Sequence, residues 1–179
     1  RPAGRGQQMH QTAVKKYALE NGLTLLQPEK LKASDFIVEL KALKADLQVV
    51  VAFRMLPEVV WDMPRLGTFN LHASLLPKYR GAAPLSWASI NGETGSGVST
   101  FKLQHEIDTG NIIFQEKVQI GPNDNVEILH DKLMLVGSGL VLKTVDALAD
   151  GKVTMIDQLE LIAKGYLPTP APKIFKNDC

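Results

Sequence analysis

The sequence is poor in cysteine, with a single thiol at its last residue, Cys179. One cysteine excludes an internal disulfide, and no cysteine pair is present to suggest a zinc site. Long hydrophobic runs are also lacking, because runs such as Val49–Phe53 are far shorter than the ~20 residues of a membrane-spanning helix. No amino-terminal stretch has the basic, apolar and small-residue order of a secretory signal. We therefore expect a cytoplasmic protein with no membrane partner.

The chain also has no large excess of positive or negative charge. The chain has 20 basic and 19 acidic residues, a net charge of +1. This balance excludes a broad basic surface that wraps nucleic acid. Residues 1–19 are an exception, because they hold Arg1, Arg5, Lys15 and Lys16 and no acid before Glu20. This cluster is either a solvated surface or a local phosphate contact, and its composition leaves both open.

The chain has 179 residues, of which 45% are hydrophobic, enough for one domain with its own core. Residues 1–10 contain two glycines and a proline and are expected to form a loop. Hydrophobic spacing predicts helices at 13–21, 34–47, 57–62, 84–90 and 125–150 and strands at 23–26, 48–53, 67–72, 97–103, 112–120 and 152–156. Ser34 is expected to cap the second helix, and Asp124 or Asn125 the last. The alternation predicts an α/β fold, a mostly parallel twisted sheet flanked by helices, with 97–120 as an antiparallel extension.

Two polar residues, Asn70 and His72, stand two apart at the end of a predicted strand. Side chains alternate along a strand, so both lie on one face while Leu71 points into the core. The carboxyl ends of strands are where open α/β sheets bind ligands. The other interpretation is that His72 only bonds a nearby backbone group, and spacing by itself favours it.

Asp108 lies in a second polar stretch, between two predicted strands. This stretch reads His-Glu-Ile-Asp-Thr-Gly, from His105 to Gly110. An aspartate shortly before glycine commonly closes a turn with its own backbone. Spacing alone favours that structural role over a chemical one.

The run Ser74–Pro84 reads Ser-Leu-Leu-Pro-Lys-Tyr-Arg-Gly-Ala-Ala-Pro. With the preceding Asn-x-His and the later Asp108 stretch, it resembles the folate-dependent formyltransferase family, and within it the members that formylate methionyl-tRNA. Members that act on glycinamide ribonucleotide or on amino sugars usually differ at Ala82-Ala83. The opening Arg-Pro-Ala-Gly-Arg-Gly is a second feature of the tRNA branch. The resemblance covers nearly the whole chain and implies a Rossmann-like formyltransferase fold.

The resemblance assigns catalysis to Asn70, His72 and Asp108. The implied reaction moves a formyl group from 10-formyltetrahydrofolate to the amino group of initiator methionyl-tRNA. Attack by the amine creates a tetrahedral intermediate, whose oxyanion Asn70 and protonated His72 would stabilise. Asp108 would favour the protonated imidazole and relay a proton through water. No metal is required. The alternatives are formyl transfer to an amino sugar or ribonucleotide amine, or an inactive folate-binding or tRNA-binding module.

The resemblance also implies binding contacts. The expected folate contacts are Phe53, Arg54, Met55, Leu56, Ser74, Leu75, Leu76, Pro77, Gln104, His105 and Glu106. The expected tRNA contacts are Arg5, Lys78, Arg80 and Gly81. For Phe53 and Leu56 the alternative is ordinary core packing. For Lys78 and Arg80 it is plain surface charge.

Family members begin before this sequence does and continue beyond it. Residues 1–165 are therefore expected to be a catalytic domain without its first strand and helix. Residues 166–179 are expected to be the extended start of a linker to an absent carboxyl-terminal domain. Without that first strand, Val49–Phe53 would form an apolar sheet edge. The expected oligomeric state is a monomer.

Overall fold

The computed structural model describes residues 2–3, 8–9, 11–52 and 54–176. The chain divides into two compact units, Arg1–Leu43 and Lys44–Cys179. None of the helices in the described ranges is long and apolar enough to cross a membrane. Each unit is described by itself.

The first unit contains two short paired strands and two helices. Strand β1 (Pro2–Ala3) pairs antiparallel with β2 (Gln8–Met9), so the prediction of a loop over residues 1–10 is wrong at those positions. Helix α1 (Ala13–Glu20) begins after Thr12, whose hydroxyl accepts the amide of Lys15. Helix α2 covers Ser34–Ala42.

Two details of the first unit correct the sequence predictions. The strand expected at 23–26 is absent, because the Leu23 amide donates to Ala18 of the preceding helix and the segment has no strand partner. Ser34 does not cap α2 but is its first helical residue. The cap position is held by Ala33, which has no side-chain oxygen to accept a backbone amide.

The second unit is built on a four-stranded sheet. Its elements are β3 (Gln48–Val51), α3 (Glu58–Trp61), β4 (Thr68–His72), α4 (Pro84–Ile90), β5 (Gly95–Lys102), β6 (Ile112–Gln119), α5 (Val126–Ala149) and α6 (Gln158–Ala163). The strand order is β3-β4-β5-β6. Helices flank this sheet, so the α/β prediction is confirmed.

The sheet is mixed, and the antiparallel extension predicted at 97–120 is confirmed. Only β3 and β4 run parallel, and the pairings β4–β5 and β5–β6 are antiparallel. The reason is the connection after β4. His72 at the end of β4 pairs with Ser99 in the middle of β5, so β5 begins beyond the carboxyl end of β4 and runs back along it.

Helix α5 covers the face of the sheet opposite to Asn70 and His72. Asn125 caps it by accepting the amide of Ile128, one of the two predicted caps. Its inward residues join strand residues in one core cluster: Val98, Val118, Leu129, Leu133 and Leu140. Leu71 packs on this cluster, as the strand alternation predicts. Gly137 allows that approach, because a Cβ there would lie 2.9 Å from a Leu71 methyl.

The strand expected at 152–156 is reduced to a single bridge. Ile156 exchanges both backbone hydrogen bonds with Ile112, at 2.8 and 2.9 Å. Pairing then stops, because Asp157 caps α6 by accepting the amide of Leu159. The sequence analysis did not predict α6.

The first strand of the second unit and its last segment differ in their backbone partners. Strand β3 lies at the edge of the described sheet, and its Val49 and Val51 are 42% and 53% exposed, as the apolar-edge prediction expects. In the segment after Tyr166, Pro170 forms a single parallel bridge with Arg80. Ala171 of this segment is fully buried, and it exchanges backbone hydrogen bonds with the chain at Arg80 and Ala83. The domain boundary at residue 165 stays a prediction.

Candidate active site

Strand β4 carries two of the three predicted catalytic residues at its carboxyl end. Asn70 and His72 share one face because they are two residues apart. His72 is buried, with 6% of its surface exposed, and the edge of its ring meets Phe101 with ring centres 6.3 Å apart. The imidazole is therefore held between the strand and the neighbouring β5.

The two nitrogens of His72 have different neighbours. Nε2 lies 2.8 Å from the carbonyl oxygen of Tyr79, which only accepts, so Nε2 carries a hydrogen and donates it. Nδ1 faces Asp108, with 3.7 Å between Nδ1 and Oδ2. That distance is too long for a direct hydrogen bond but short enough for an ion pair when the ring is protonated. Nδ1 is the ring nitrogen left for chemistry.

Asp108 approaches from the turn between β5 and β6, with a left-handed backbone (φ 55°). Its Oδ2 accepts the backbone amide of Gly81 at 2.8 Å, from a different loop. This bond argues against a purely local turn role, because the carboxylate serves a contact between two loops. The structure thus brings His72 and Asp108 together, as the sequence analysis expects.

Asn70 carries a polar atom without a partner. Its Oδ1 is buried and has no hydrogen-bond partner within the described ranges. Burying an unsatisfied amide oxygen costs about 1–3 kcal/mol, so such an atom needs an explanation. A ligand that enters the adjoining cleft would satisfy it.

One large cleft joins the three residues. It has a volume of about 1350 Å³, and Asn70, His72 and Asp108 all line it. The lining comes from strands β3, β4 and β5, from the 81–86 loop and start of α4, and from the segments before α3 and between β5 and β6. Helix α5 lines the cleft from the opposite face of the sheet. Among the described residues, no cluster of histidine, cysteine or carboxylate side chains is suited to hold a metal ion.

The chain matches the formyl transferase family over residues 1–145. It belongs to that family. A relative from Bacteroides fragilis named methionyl-tRNA formyltransferase is 63% identical over 179 residues, which are all of this chain and 55% of the relative. This formyl transferase chain thus spans about half the length of the curated relatives it matches.

Solved structures show the same fold. A formyltransferase from Anoxybacillus kamchatkensis, solved with a UDP-linked formamido sugar and tetrahydrofolate, has a TM-score of 0.68 and 21% identity, covering 91% of this chain and 82% of that one. An N-formyltransferase from Helicobacter canadensis, solved with folinic acid and dTDP-3-aminofucose, has a TM-score of 0.68 and 22% identity, covering 98% and 58%. The Rossmann-like formyltransferase fold predicted from the motifs is confirmed.

The cleft of the formyl transferase contains part of the expected folate wall. Six of those residues line it: Arg54, Met55, Leu56, Gln104, His105 and Glu106. Trp61, which the sequence analysis did not single out, also lines the cleft and meets His105 edge-on at 5.4 Å. His105 in turn lies 3.2 Å from the carboxylate of Glu58. Phe53 lies outside the described residues.

The expected contacts of Ser74–Pro77 with folate are not supported, because these residues do not line the cleft. The Ser74 hydroxyl donates to the Lys78 carbonyl at 2.5 Å. Leu76 is 2% exposed and packs with Phe101 and Ile112. Pro77 is buried as well. The run from Ser74 to Pro77 therefore supports the loop from within the core, and Leu75 closes against the backbone at Gly97.

The expected tRNA contacts have other partners. Lys78 pairs with Glu93 at 2.5 Å, and Arg80 donates to the side chain of Gln158. Burial lowers the pKa of Arg80, against the opposing effects of Asp108 and Glu106. Neither basic side chain lines the cleft, and Arg80 is not plain surface charge. Gly81 does line the cleft and gives its amide to Asp108. Arg5 lies outside the described residues.

Tyr79 holds the carbonyl that His72 uses. Its backbone is left-handed (φ 60°), and its amide donates to the Thr169 hydroxyl at 3.0 Å. Its own hydroxyl donates to Glu93 at 2.6 Å and accepts from Asn91 at 2.9 Å. Burial raises the pKa of Tyr79 above its usual 10.0, and the bond to Glu93 adds to this. These hydrogen bonds fix Tyr79, and the Tyr79 carbonyl in turn holds the ring of His72.

We expect Glu93→Gln to flatten the acid end of the stability curve. Hydrogen bonds from Lys78 and then Tyr79 hold the pKa of Glu93 below its usual 4.5, against the effect of burial. A lowered folded-state pKa adds stability above the unfolded pKa, and this is lost as the pH falls through the folded value. The variant should lose about 1–2 kcal/mol at pH 7 and depend less on pH below about 5.

Denaturant unfolding across that pH range measures this effect. The matched control is Glu116→Gln, which removes the same charge from an exposed position of β6. It should leave the pH dependence close to that of the unchanged protein. Equal pH slopes for Glu93→Gln and the unchanged protein would contradict a stabilising role for Glu93.

Proposed function

We propose that this formyl transferase moves a formyl group from 10-formyltetrahydrofolate to the amino group of initiator methionyl-tRNA. The observation that carries the proposal is the meeting of Asn70, His72 and Asp108 on one cleft, with His72 Nδ1 turned to the carboxylate. The 63% identity to the Bacteroides fragilis enzyme supports the choice of methionyl-tRNA.

The proton inventory of the reaction assigns a role to His72. An amine that becomes a formamide loses a proton, and the carrier nitrogen that releases the formyl group gains one. Nδ1 is able to take up the first and deliver the second, because Nε2 is committed to Tyr79. Asp108 faces the ring that becomes positive during this exchange, and it stabilises that charge across 3.7 Å.

Asn70 is proposed to hold the oxygen of the formyl group as it becomes negative. Its amide lies beside His72 on the same strand face. An amide supplies two N–H donors and one acceptor oxygen, and rotation by half a turn exchanges them. In one orientation, the unpartnered Asn70 Oδ1 accepts a hydrogen bond from an N–H of the amine. After rotation, the Asn70 NH2 takes the place of that oxygen and donates to the oxyanion.

The cleft fits a folate carrier. Single ligand pockets usually have about 300–1000 Å³, and this cleft of about 1350 Å³ exceeds that range because its lining includes both faces of the sheet. Its apolar lining includes Leu56, Trp61 and Leu103, which suit a flat ring system. When bound, the carrier supplies the activated formyl group, and we propose that Arg54, Met55, Leu56, Gln104, His105 and Glu106 form its wall.

The proposed tRNA contact now depends on Arg5. Lys78 and Arg80 are engaged with Glu93 and Gln158, and Gly81 with Asp108. Phosphate contacts by a basic loop position a nucleic acid without reading its sequence. We further propose that the protein is a cytoplasmic monomer whose partners are initiator tRNA and a folate.

A second candidate is formylation of a nucleotide-linked amino sugar. The solved neighbour from Helicobacter canadensis holds dTDP-3-aminofucose, and the one from Anoxybacillus kamchatkensis holds a UDP-linked formamido sugar. Their identity to this chain is only 21% and 22%, against 63% for the methionyl-tRNA enzyme. The motif Ala82-Ala83 also favours the tRNA branch.

A comparison of two amine substrates tests the proposal. The full-length protein is supplied with 10-formyltetrahydrofolate and offered methionyl-tRNA or a dTDP-linked amino sugar in separate reactions. We expect formyl-methionyl-tRNA and a sugar rate at least about 10²-fold lower, because each site rejects an amine that it cannot position. Formylation of the sugar alone would contradict the choice of substrate. Folate binding without any transfer would favour the binding-module alternative.

A further inference from the structure

Gln158 joins the two loops that meet at the active site. It is the first residue of α6 and is 1% exposed. Its Oε1 accepts Nε and Nη2 of Arg80 at 3.0 and 2.6 Å. Its Nε2 donates to the carbonyls of Asp108 and Gly110 at 2.9 and 2.8 Å. Both amide hydrogens and both acceptor sites of the oxygen are used.

The loops that Gln158 joins carry the groups that must be aligned. On one side Arg80 precedes Gly81, whose amide donates to Asp108 Oδ2. On the other side the carbonyl of Asp108 is held directly. The same carboxylate oxygen lies 3.7 Å from His72 Nδ1. Gln158 therefore holds both ends of the contact between Gly81 and Asp108, from beneath the cleft wall.

Asp108 needs such support more than an ordinary turn residue does. Its φ of 55° is uncommon for a residue other than glycine and is tolerated by aspartate at some cost. A displacement of about 1 Å at a reacting group lowers turnover by about 10²-fold. The backbone of Asp108 therefore has to be held at its carbonyl as well as at its carboxylate.

We propose that Gln158 is a positioning residue for formyl transfer, one that sets the approach of Asp108 to His72 by joining the Arg80 guanidinium to the carbonyls of Asp108 and Gly110. It does not line the cleft and is not assigned contact with either substrate. The inference rests on the proposed function of His72 and Asp108.

The residue type follows from its partners. One side requires two acceptor sites for a guanidinium, and the other requires two donors for carbonyl oxygens. An ionised glutamate keeps the first and replaces both donors with a negative charge facing two carbonyls. Methionine has a similar length and keeps neither. Gln158→Glu and Gln158→Met thus remove one half or both halves of the connection.

Steady-state kinetics on the full-length protein form the first arm of the test. We expect Gln158→Met to lower kcat by about 10²-fold and Gln158→Glu by about 10-fold, with KM for each substrate within about 3-fold. The control Gln119→Met removes an exposed glutamine from β6 and should keep kcat. A rise in KM with unchanged kcat in a folded Gln158 variant would overturn the proposal. If Gln158→Met does not fold, Gln158→Glu decides by the same criterion.

Amide hydrogen exchange measured by NMR forms the second arm and needs no activity. The Gly81 amide should exchange about 10-fold faster in Gln158→Glu, because Asp108 no longer holds it. The Ile120 amide, which donates to Thr94 away from the site, should not change. Equal acceleration of both amides would indicate general destabilisation and overturn the proposal. Should the unchanged protein formylate neither amine, the proposed function fails while the Gly81 amide still reports on Gln158.

Discussion

Replacing His72 by alanine should lower the rate of formyl transfer by about 10²–10⁴-fold, which is the usual contribution of one acid–base group. Nδ1 is the nitrogen available for proton exchange, since Nε2 donates to Tyr79. Folate affinity should change by less than about 3-fold, because the residues proposed to contact folate are other ones. Single-turnover rates and folate titration measure the two effects separately.

Gln119→Ala is the control for this prediction. Gln119 is an exposed residue of β6 that does not line the cleft. Its replacement should change the rate by no more than about 2-fold, as for surface substitutions away from the chemistry. An unchanged rate in a folded His72→Ala protein would remove the imidazole from the mechanism.

Gly81→Ala should cause the second largest fall in the rate of formyl transfer. The backbone at Gly81 has φ 123°, which side chains rarely permit, and a Cβ would lie 2.7 Å from the Ala171 carbonyl oxygen. The strain is about 1–3 kcal/mol, and the backbone has to move to relieve it. Movement takes the Gly81 amide away from Asp108 Oδ2, so kcat should fall by about 10²-fold.

Gly92→Ala separates the two parts of this effect. Gly92 also has a positive φ, 64°, but nothing lies within 4 Å of the position that an alanine methyl would take. This variant should lose roughly 1–2 kcal/mol of stability from its backbone conformation and keep its kcat. Thermal unfolding and steady-state kinetics on both variants make the comparison. A Gly81→Ala protein with full kcat would show that the Gly81 amide does not orient Asp108.

Local patterns in the sequence predicted the elements that depend on local physics. Helix α4 begins at Pro84, a favoured first position, and its observed range is the predicted one. Asn125 caps α5 as expected, and the alternation at Asn70, Leu71 and His72 gave their faces. Ser34 was misassigned because a good capping residue does not cap when the helix begins one residue earlier.

The sequence motifs identified only part of the candidate site. Asn70, His72 and Asp108 were identified by their resemblance to a family, and the structure brings His72 and Asp108 within 3.7 Å. Of the expected folate contacts, Ser74–Pro77 do not line the cleft, and Trp61, which was not expected, does. A motif shows which residue types are required at its positions, and core packing requires particular residue types as strongly as ligand binding does.

By itself, the sequence determined the α/β architecture and the strand face of Asn70 and His72. These follow from side-chain periodicity and capping, which act over a few residues. Its motifs identified the candidate site residues through their resemblance to a family. Tertiary structure alone decided the register of β5 on β4, the hydrogen bond from His72 Nε2 to the Tyr79 carbonyl, and the joining of Arg80 to Asp108 through Gln158. Those contacts span up to 78 residues, and the distances between such partners are set by the packing of the whole sheet and its loops.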